Sequence, residues 1–418
     1  MIEVKALSQC DGVVAVPGSK SYTHRTLIVS SLADGESFLS NALRCEDTER
    51  TIEGLKKFGV EFHWEGDGVR VLGKGGMFKT TDEKVDVGHS GTSMRFLMAL
   101  AALKTGITLL DGSERMGKRP IGELLSGLGE LGAKAYSQRG NDRPPVIVES
   151  RGLKGGTARI KGEESSQFLS GLLMVAPYAQ KDVNVEVTGS LASKPYVDIT
   201  LDVMSAFGVQ VRNQEYQSFF IKAGQRYVPR AYRIEGDASS ASYFFSAAAV
   251  CRGRVRVENL NPATIQGDIG FLEILKRMGC RVTRGDDWIE VASGELREIE
   301  VNMNEMPDLV STLAVTAAFA QGKTVIKNIG HLRLKESDRI HALAIELSKM
   351  GIRVREGEDR LEIEGGEPRG AEIETYNDHR MAMSFAIAGL AVSGVRIKGE
   401  RCVGKSFPGF WETLQKLY

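Results

Sequence analysis

The segment GLKKFGVEF, residues 54–62, carries the pattern on which the fold is read: an amphipathic run, a glycine between an apolar residue and a small or apolar one, then a short alternating strand. It returns as GLGELGAKA (127–135), LDVMSAFGVQV (201–211), EILKRMGCRV (273–282) and AIELSKMGIRV (344–354). The central glycines Gly59, Gly132, Gly208, Gly279 and Gly351 recur about every 70 residues, the mark of an internal repeat. The chain ends in the helix-like GFWETLQKLY (409–418), where a sixth copy would run out.

A second phrase interleaves with the first. A polar, often Ser-rich start leads into an apolar helix and then a strand, as in THRTLIVSSLADGESFLS (23–40), TSMRFLMALAALKTGITLLDG (92–112) and SSQFLSGLLMVAPYAQKDVNVEVTG (165–189). Three further copies begin at Ser239, Leu309 and His379. The helices in SMRFLMALAAL (93–103) and MAMSFAIAGLA (381–391) are apolar nearly all round, so protein should surround them. The other helix of the repeat shows a stripe, as in Ile340, Leu343, Leu347 and Met350, and should meet solvent on its opposite face. A unit of about 70 residues cannot cover such a helix alone, so copies must pack together. The expected fold is α+β, with sheets outside, apolar helices inside, and six units split into two domains of three. No G-x-G-x-x-G or G-x-x-x-x-G-K-[ST] opens a helix, which leaves nucleotide sites of those kinds unsupported.

Composition bounds the chemistry. A chain of 418 residues predicts two or three folding units. It is 42% hydrophobic, with Lys+Arg 54 against Asp+Glu 54, which excludes a disordered polyelectrolyte and the broad basic footprint of non-specific nucleic-acid binding. Any anion site must therefore be focused. No apolar run is long enough to span a membrane, and MIEVKALSQC does not read as a signal peptide. The scattered Cys10, Cys45, Cys251, Cys280 and Cys402 read as reduced thiols of a cytoplasmic protein.

The unusual residues stand just before the apolar helices: PGSKSYTHR (17–25), GHSGTSMR (88–95), EESSQ (163–167), EGDASS (235–240), MPDL (306–309) and YNDHR (376–380). Ordinary N-capping accounts for the Ser, Thr, Asp and Asn. It does not account for Lys20, Arg25 or Arg380, since cations there oppose the helix dipole; a shared anion would. RMGKRP offers Arg115, Lys118 and Arg119, with Pro120 suited to the first helical position. HLRLKESDR (331–339) gathers more cations and spaces Lys335 and Arg339 four apart, a repulsive arrangement on an exposed helix but a useful clamp for phosphate or carboxylate. Asp308 is a cap by default. Among Lys335 and other cations it would instead stay ionised and accept a proton from a substrate hydroxyl. The six histidines lack metal-ligand spacing, so no metal is expected.

Ten phrases, VPGSKSYTHR, GHSGTSMR, LDGSERMGKRPI, ESSQF, SKPYVDIT, GDASSASYFF, PDL, LRLKESDR, YNDHRMAM and GKSFPGFW, follow in an order that resembles the 5-enolpyruvylshikimate-3-phosphate synthase family over nearly the whole chain. The related UDP-N-acetylglucosamine enolpyruvyl transferases share the fold but typically use a loop cysteine, and none lies between Cys45 and Cys251. The resemblance implies an inverse α/β barrel-like fold of six βαβαββ units. One domain would be continuous over 14–232 and the other built from 1–13 and 233–418, with the active site in the cleft between them. It implies transfer of the enolpyruvyl group of phosphoenolpyruvate to the 5-hydroxyl of shikimate 3-phosphate, releasing phosphate, in the chorismate branch of aromatic amino-acid biosynthesis. A monomer without cofactor or metal is implied.

By the same resemblance, Lys20, Ser21, Arg25, Ser165, Ser166, Gln167, Ser193, Tyr196, Asp308, His331 and Lys335 would hold shikimate 3-phosphate. Lys20, Gly91, Thr92, Arg119, Gln167, Arg339, Arg380 and Lys405 would hold phosphoenolpyruvate. Asp308, aided by Lys335, would take the hydroxyl proton, and Glu336 would protonate C3 with His379 nearby, Lys405 being the competing donor. Lys20 and the arginines would stabilise the charge that develops as phosphate leaves. The chain departs from the family pattern at His89 and Ser90, at Phe96 where proline is frequent, and at His331 where asparagine is common.

Overall fold

The computed structural model describes residues 1–79 and 82–418, and the chain divides into two compact units. Unit 1 comprises Met1–Pro17 and Glu235–Tyr418; unit 2 comprises Gly18–Ile234. Unit 1 opens with β1 (Ile2–Glu3) and β2 (Asp11–Ala15). In unit 2 follow α1 (Lys20–Leu32), β3 (Asp34–Ser40), α2 (Glu46–Lys57), β4 (Glu61–Glu65) and β5 (Gly68–Lys74). The next repeat is β6 (Glu83–Asp86), α3 (Gly91–Ala101), β7 (Thr105–Asp111), α4 (Gly122–Glu130), β8 (Lys134–Ser137) and β9 (Val146–Arg151). The third is β10 (Gly156–Lys161), α5 (Ser166–Val175), β11 (Val183–Thr188), α6 (Lys194–Ala206), β12 (Arg212–Gln214) and β13 (Ser218–Ile221), after which β14 (Ala231–Arg233) ends the unit.

Unit 1 resumes with α7 (Ala238–Val250), β15 (Arg254–Glu258), α8 (Phe271–Arg277), β16 (Arg281–Arg284) and β17 (Trp288–Ala292). Then come β18 (Glu300–Asn302), α9 (Val310–Ala317), β19 (Lys323–Lys327), α10 (Arg339–Lys349), β20 (Arg353–Glu356) and β21 (Leu361–Glu364). Last are β22 (Glu372–Glu374), α11 (His379–Ala391), β23 (Arg396–Lys398) and α12 (Phe410–Gln415).

Five sheets share one strand order, in which two parallel strands are followed by an antiparallel pair: β14-β3-β5-β4, β6-β7-β9-β8, β10-β11-β13-β12, β2-β15-β17-β16 and β18-β19-β21-β20. The sixth pairs β22 parallel to β23, and β1 lies antiparallel to β23. The start of the chain thus completes the copy that its end leaves short. Two repeats are broken across the units. β2 pairs with β15 in unit 1 before the chain enters α1 of unit 2, and β14 pairs with β3 in unit 2 before the chain enters α7 of unit 1. Those pairings place the crossings at Pro17–Gly18 and Ile234–Glu235, later than the division into 1–13, 14–232 and 233–418 expected above.

The recurrent glycine has a physical account. All five lie at φ between 81° and 112°. In the first copy Gly59 N–H donates to Lys56 O and Val60 N–H to Leu55 O, and the other four copies repeat this pair of bonds. This is the Schellman ending, in which a left-handed residue satisfies orphan carbonyls and the next apolar side chain turns back to the core. The partly striped helices α2, α4, α6, α8 and α10 each end this way. The apolar helices are buried as predicted; every residue of α7 and α9 lies in the interior. Within unit 1, α7, α9 and α11 pack against one another, and their small hydroxyls are linked from Ser242 to Thr312 (3.3 Å) to Ser384 (3.5 Å). Each unit has its own apolar core.

The two crossings are built alike. Asn41 and Asn259 follow the central strands β3 and β15 at φ 54° and 57°. Asn41 Nδ2 donates to Ile234 O (2.8 Å) and Asn259 Nδ2 to Val16 O (3.0 Å). A Cβ on Gly18 or Gly236 would stand 1.8 Å from Asn41 O or 1.6 Å from Asn259 O, against backbone that cannot swing aside. Gly236→Ala is therefore expected to cost about 2 kcal/mol or more in chemical denaturation, whereas Gly404→Ala, which meets nothing within 4 Å, should be near neutral.

Candidate active site

Four of the six polar helix starts do what capping requires. Ser90, Ser165, Asp237 and Asp378 accept backbone N–H bonds through their side chains. The other two depart. Ser19 at α1 makes no side-chain cap, and Asp308 sits in a single turn of tight helix, Pro307–Leu309, without capping α9.

In unit 1 Asp308 turns to two guanidinium groups. Its Oδ1 accepts from Arg339 Nη1 (3.2 Å) and its Oδ2 from Arg380 Nη2 (2.7 Å). Arg339 is fully buried and also donates to Asp378 Oδ2 (2.8 Å) and Glu336 Oε2 (2.9 Å). Burial by itself would lower the Arg339 pKa, but Asp378, Glu336 and Asp308 more than offset it, and the group titrates above its ordinary value. Ser337 Oγ donates to Asp378 Oδ2 (3.0 Å), and Lys405 Nζ, itself buried, stands 3.8 Å from Glu336 Oε1. Arg380 Nη1 donates to Tyr243 Oη (3.1 Å). His379 is buried beside Asp378, with Nδ1 3.7 Å from its Oδ1.

Lys335 lies outside α10, which starts at Arg339 behind the cap Asp338. The expected like-charge pair on one helix is therefore absent, because the extended backbone at Lys335 breaks the spacing. Lys335 acts on the cluster through its charge. The His331 imidazole is pushed down to about 4 by burial and then by Lys335, with Asp308 pulling the other way. It is neutral at physiological pH, and its buried Nε2 has no hydrogen-bond partner.

Unit 2 presents a second cluster. Lys20 Nζ donates to Asp47 Oδ2 (3.3 Å). Arg25 is buried and donates from Nε to Thr200 Oγ1 (2.7 Å), from Nη1 to Ser21 O (3.0 Å) and from Nη2 to Tyr196 O (2.9 Å). Burial lowers its pKa to about 10, which still leaves it a cation at neutral pH. Gln167 ties the starts of two helices together: its Nε2 donates to Thr92 Oγ1 (2.9 Å) and its Oε1 accepts from Arg95 Nη1 (2.6 Å). Ser166 opens α5, and Ser193, at φ 56°, precedes α6. Arg119 is buried against the start of α3, where a Cβ on Gly91 would fall 2.5 Å from its Nη1. The absent side chain at Gly91 is what lets the guanidinium lie there. Pro120 stands ahead of α4, whose first residue is Gly122 behind the N-cap Ile121, so the expected Pro at the first helical position is corrected; Pro120 instead follows a tight turn at Met116–Lys118.

Sequence reasoning passed over several partners. Asp378 stands in the helix start YNDHR, and Asp47, Thr200 and Ser170 drew no reading, yet they hold Arg339, Lys20 and Arg25. Tyr243 lies in the apolar helix that follows the polar start EGDASS, and Ser239 in that start itself. Ser239 Oγ donates to the buried Asp268, whose carboxyl is pushed up to about 7 by burial first and then by the charge of Asp308. Each of the partners Asp47, Asp378, Ser170 and Thr200 lies on a different element from the cation it holds, so no local signal in the sequence marks the pairing.

Six βαβαββ copies, gathered three and three, with cations and carboxylates collected at the starts of buried helices, define an α+β enzyme class that handles small anions. A family model for EPSP synthase (3-phosphoshikimate 1-carboxyvinyltransferase) matches residues 4–414. The chain belongs to that family. It is 44% identical over 421 residues to the 3-phosphoshikimate 1-carboxyvinyltransferase of Sulfurovum sp. (strain NBC37-1), covering 100% of this chain and 99% of that one. Against the protein of the same name from Nostoc punctiforme the identity is 45%, with 98% and 97% covered. Among solved structures, EPSP synthase from Acinetobacter baumannii aligns with TM-score 0.83 at 29% identity, covering 99% and 97%. The enolpyruvyl transferase NikO from Streptomyces tendae shares the fold, with TM-score 0.79 at 19% identity over 99% and 96%.

Two outcomes are expected from this geometry. Gly91→Ala should preserve the fold but push the Arg119 guanidinium aside, read as a shifted Arg119 Nε–H signal in NMR with unchanged thermal unfolding. His331 should titrate in NMR well below 6.5, near 4. Because its folded pKa is depressed, the stability it contributes is present above 6.5 and is lost as the pH falls from there through about 4. His331→Asn should flatten that window.

Proposed function

We propose that both clusters serve one reaction, in which the enolpyruvyl group of phosphoenolpyruvate passes to the 5-hydroxyl of shikimate 3-phosphate and phosphate is released. Both substrates are polyanions, so each needs a cationic cradle or their mutual repulsion defeats binding. Lys20, Ser21, Arg25, Ser165, Ser166, Gln167, Ser193, Tyr196, His331 and Lys335 are assigned to shikimate 3-phosphate. Gly91, Thr92, Arg119, Arg339, Arg380 and Lys405 are assigned to phosphoenolpyruvate, with Lys20 and Gln167 shared. The neutral His331 ring suits a hydroxyl rather than a phosphate, and its unpartnered Nε2 supports that placement.

The observation that carries the assignment of roles is Asp308, a carboxylate that caps nothing and instead meets two arginines. It accepts the 5-hydroxyl proton as the oxygen attacks C2 of phosphoenolpyruvate, while Glu336 delivers a proton to C3, Lys405 being the competing donor 3.8 Å away. The product is a tetrahedral ketal phosphate. Elimination reverses the proton roles, and Lys20 with the arginines offsets the charge gathering on the departing phosphate. Among the described residues no helix is long and apolar enough to cross a membrane; a cytoplasmic monomer belongs to the same reading.

The test is phosphate release from phosphoenolpyruvate with shikimate 3-phosphate or UDP-N-acetylglucosamine as acceptor. Turnover is expected with the former, and turnover only with the latter would overturn the reading. Asp308→Ala should lower kcat about 100-fold or more with substrate binding largely kept; near-normal turnover at saturation would remove Asp308 from the base role.

A further inference from the structure

The Arg380 guanidinium reaches both a phenol and a carboxylate. Nη1 donates to Tyr243 Oη (3.1 Å) and Nη2 to Asp308 Oδ2 (2.7 Å). Tyr243 is fully buried on α7, and its ring is fixed edge-on to Phe410, with centroids 5.9 Å apart and planes at 77°. Among the described residues its hydroxyl has Arg380 as its hydrogen-bond partner, so the phenol oxygen serves this guanidinium. Burial raises the phenol pKa, and it remains a neutral acceptor throughout the working range. The two bonds differ in kind. The phenol is anchored in the core of unit 1, whereas Asp308 is partly exposed and occupies a position that any carboxylate or phosphate could take.

We infer that Tyr243 is a positioning residue for the reaction: it carries Arg380 by Nη1 while Nη2 changes hands between Asp308 and the anion of phosphoenolpyruvate. This rests on the reading above, which assigns Arg380 to that substrate. In the structure described here Asp308 is the internal anion of the arginine pair. An arriving substrate anion takes the Nη2 bond, and Asp308 is left with one fewer cation as its own task begins. Without the phenol, the Nη1 bond to the core of unit 1 is lost and the exchange at Nη2 loses that fixed point. No covalent step is involved.

Two variants test this in the full chain, by calorimetry with phosphoenolpyruvate and with inorganic phosphate and by kinetics with shikimate 3-phosphate. Tyr243→Phe keeps the ring packing and removes the acceptor. It is expected to weaken both anions about tenfold while changing kcat less than about threefold, the split of a binding rather than a chemical role. Unchanged affinity, or a loss of kcat with affinity kept, would overturn the proposal. Asp308→Asn removes the competing charge and is expected to bind inorganic phosphate several-fold more tightly than the parent; equal or weaker binding would overturn the exchange. Phosphate affinity is read without turnover, so failure of this inference is separable from failure of the proposed reaction, which the acceptor assay reads.

Discussion

A helix buried on every side has only its ends left for chemistry, and that constraint governs this molecule. α7, α9 and α11 in unit 1, like α1, α3 and α5 in unit 2, bury nearly all of their residues. Their N-terminal N–H groups need partners, and their positive ends favour anions. Four starts meet the need with their own Ser or Asp side chains. At α9 the capping acid is missing, and the nearest carboxylate, Asp308, has been turned to arginines instead.

The cations are tolerated because each is matched. Arg339 would be costly as a lone buried charge, but Asp378, Glu336 and Asp308 surround it. Lys20 rests on Asp47, and Arg25 spends its donors on carbonyls and hydroxyls of unit 2. Such a cluster is pre-organised: its charged groups are held in place by one another's hydrogen bonds. His331 illustrates the reverse case, a group kept neutral by burial where another positive charge would be excessive.

Repeat architecture explains why the fold was legible. The apolar-Gly-apolar phrase is a local code, since the left-handed glycine and the two backbone bonds it closes involve only the last turn of one helix. Five copies in register then announce the unit, and the all-apolar helices announce their burial. The broken copies were less legible. That β1 completes the sixth sheet and that β2 and β14 exchange places at the crossings depends on pairings between residues hundreds of positions apart.

The candidate site divides along the same line. By itself the sequence determined which residues carry charge at which helix start, because N-terminal phrases such as PGSKSYTHR and YNDHR are local, and their cations conflict with the helix dipole wherever the helix is placed. Only the tertiary structure decided what each charge meets. Asp308 and Arg380 are far apart in the chain and 2.7 Å apart in space, and Tyr243, to the sequence one more aromatic in an apolar helix, becomes the anchor of a guanidinium. The physical reason is that capping and helix termination are settled within a few residues, whereas the pairing of buried charges is settled by which helices the core brings side by side.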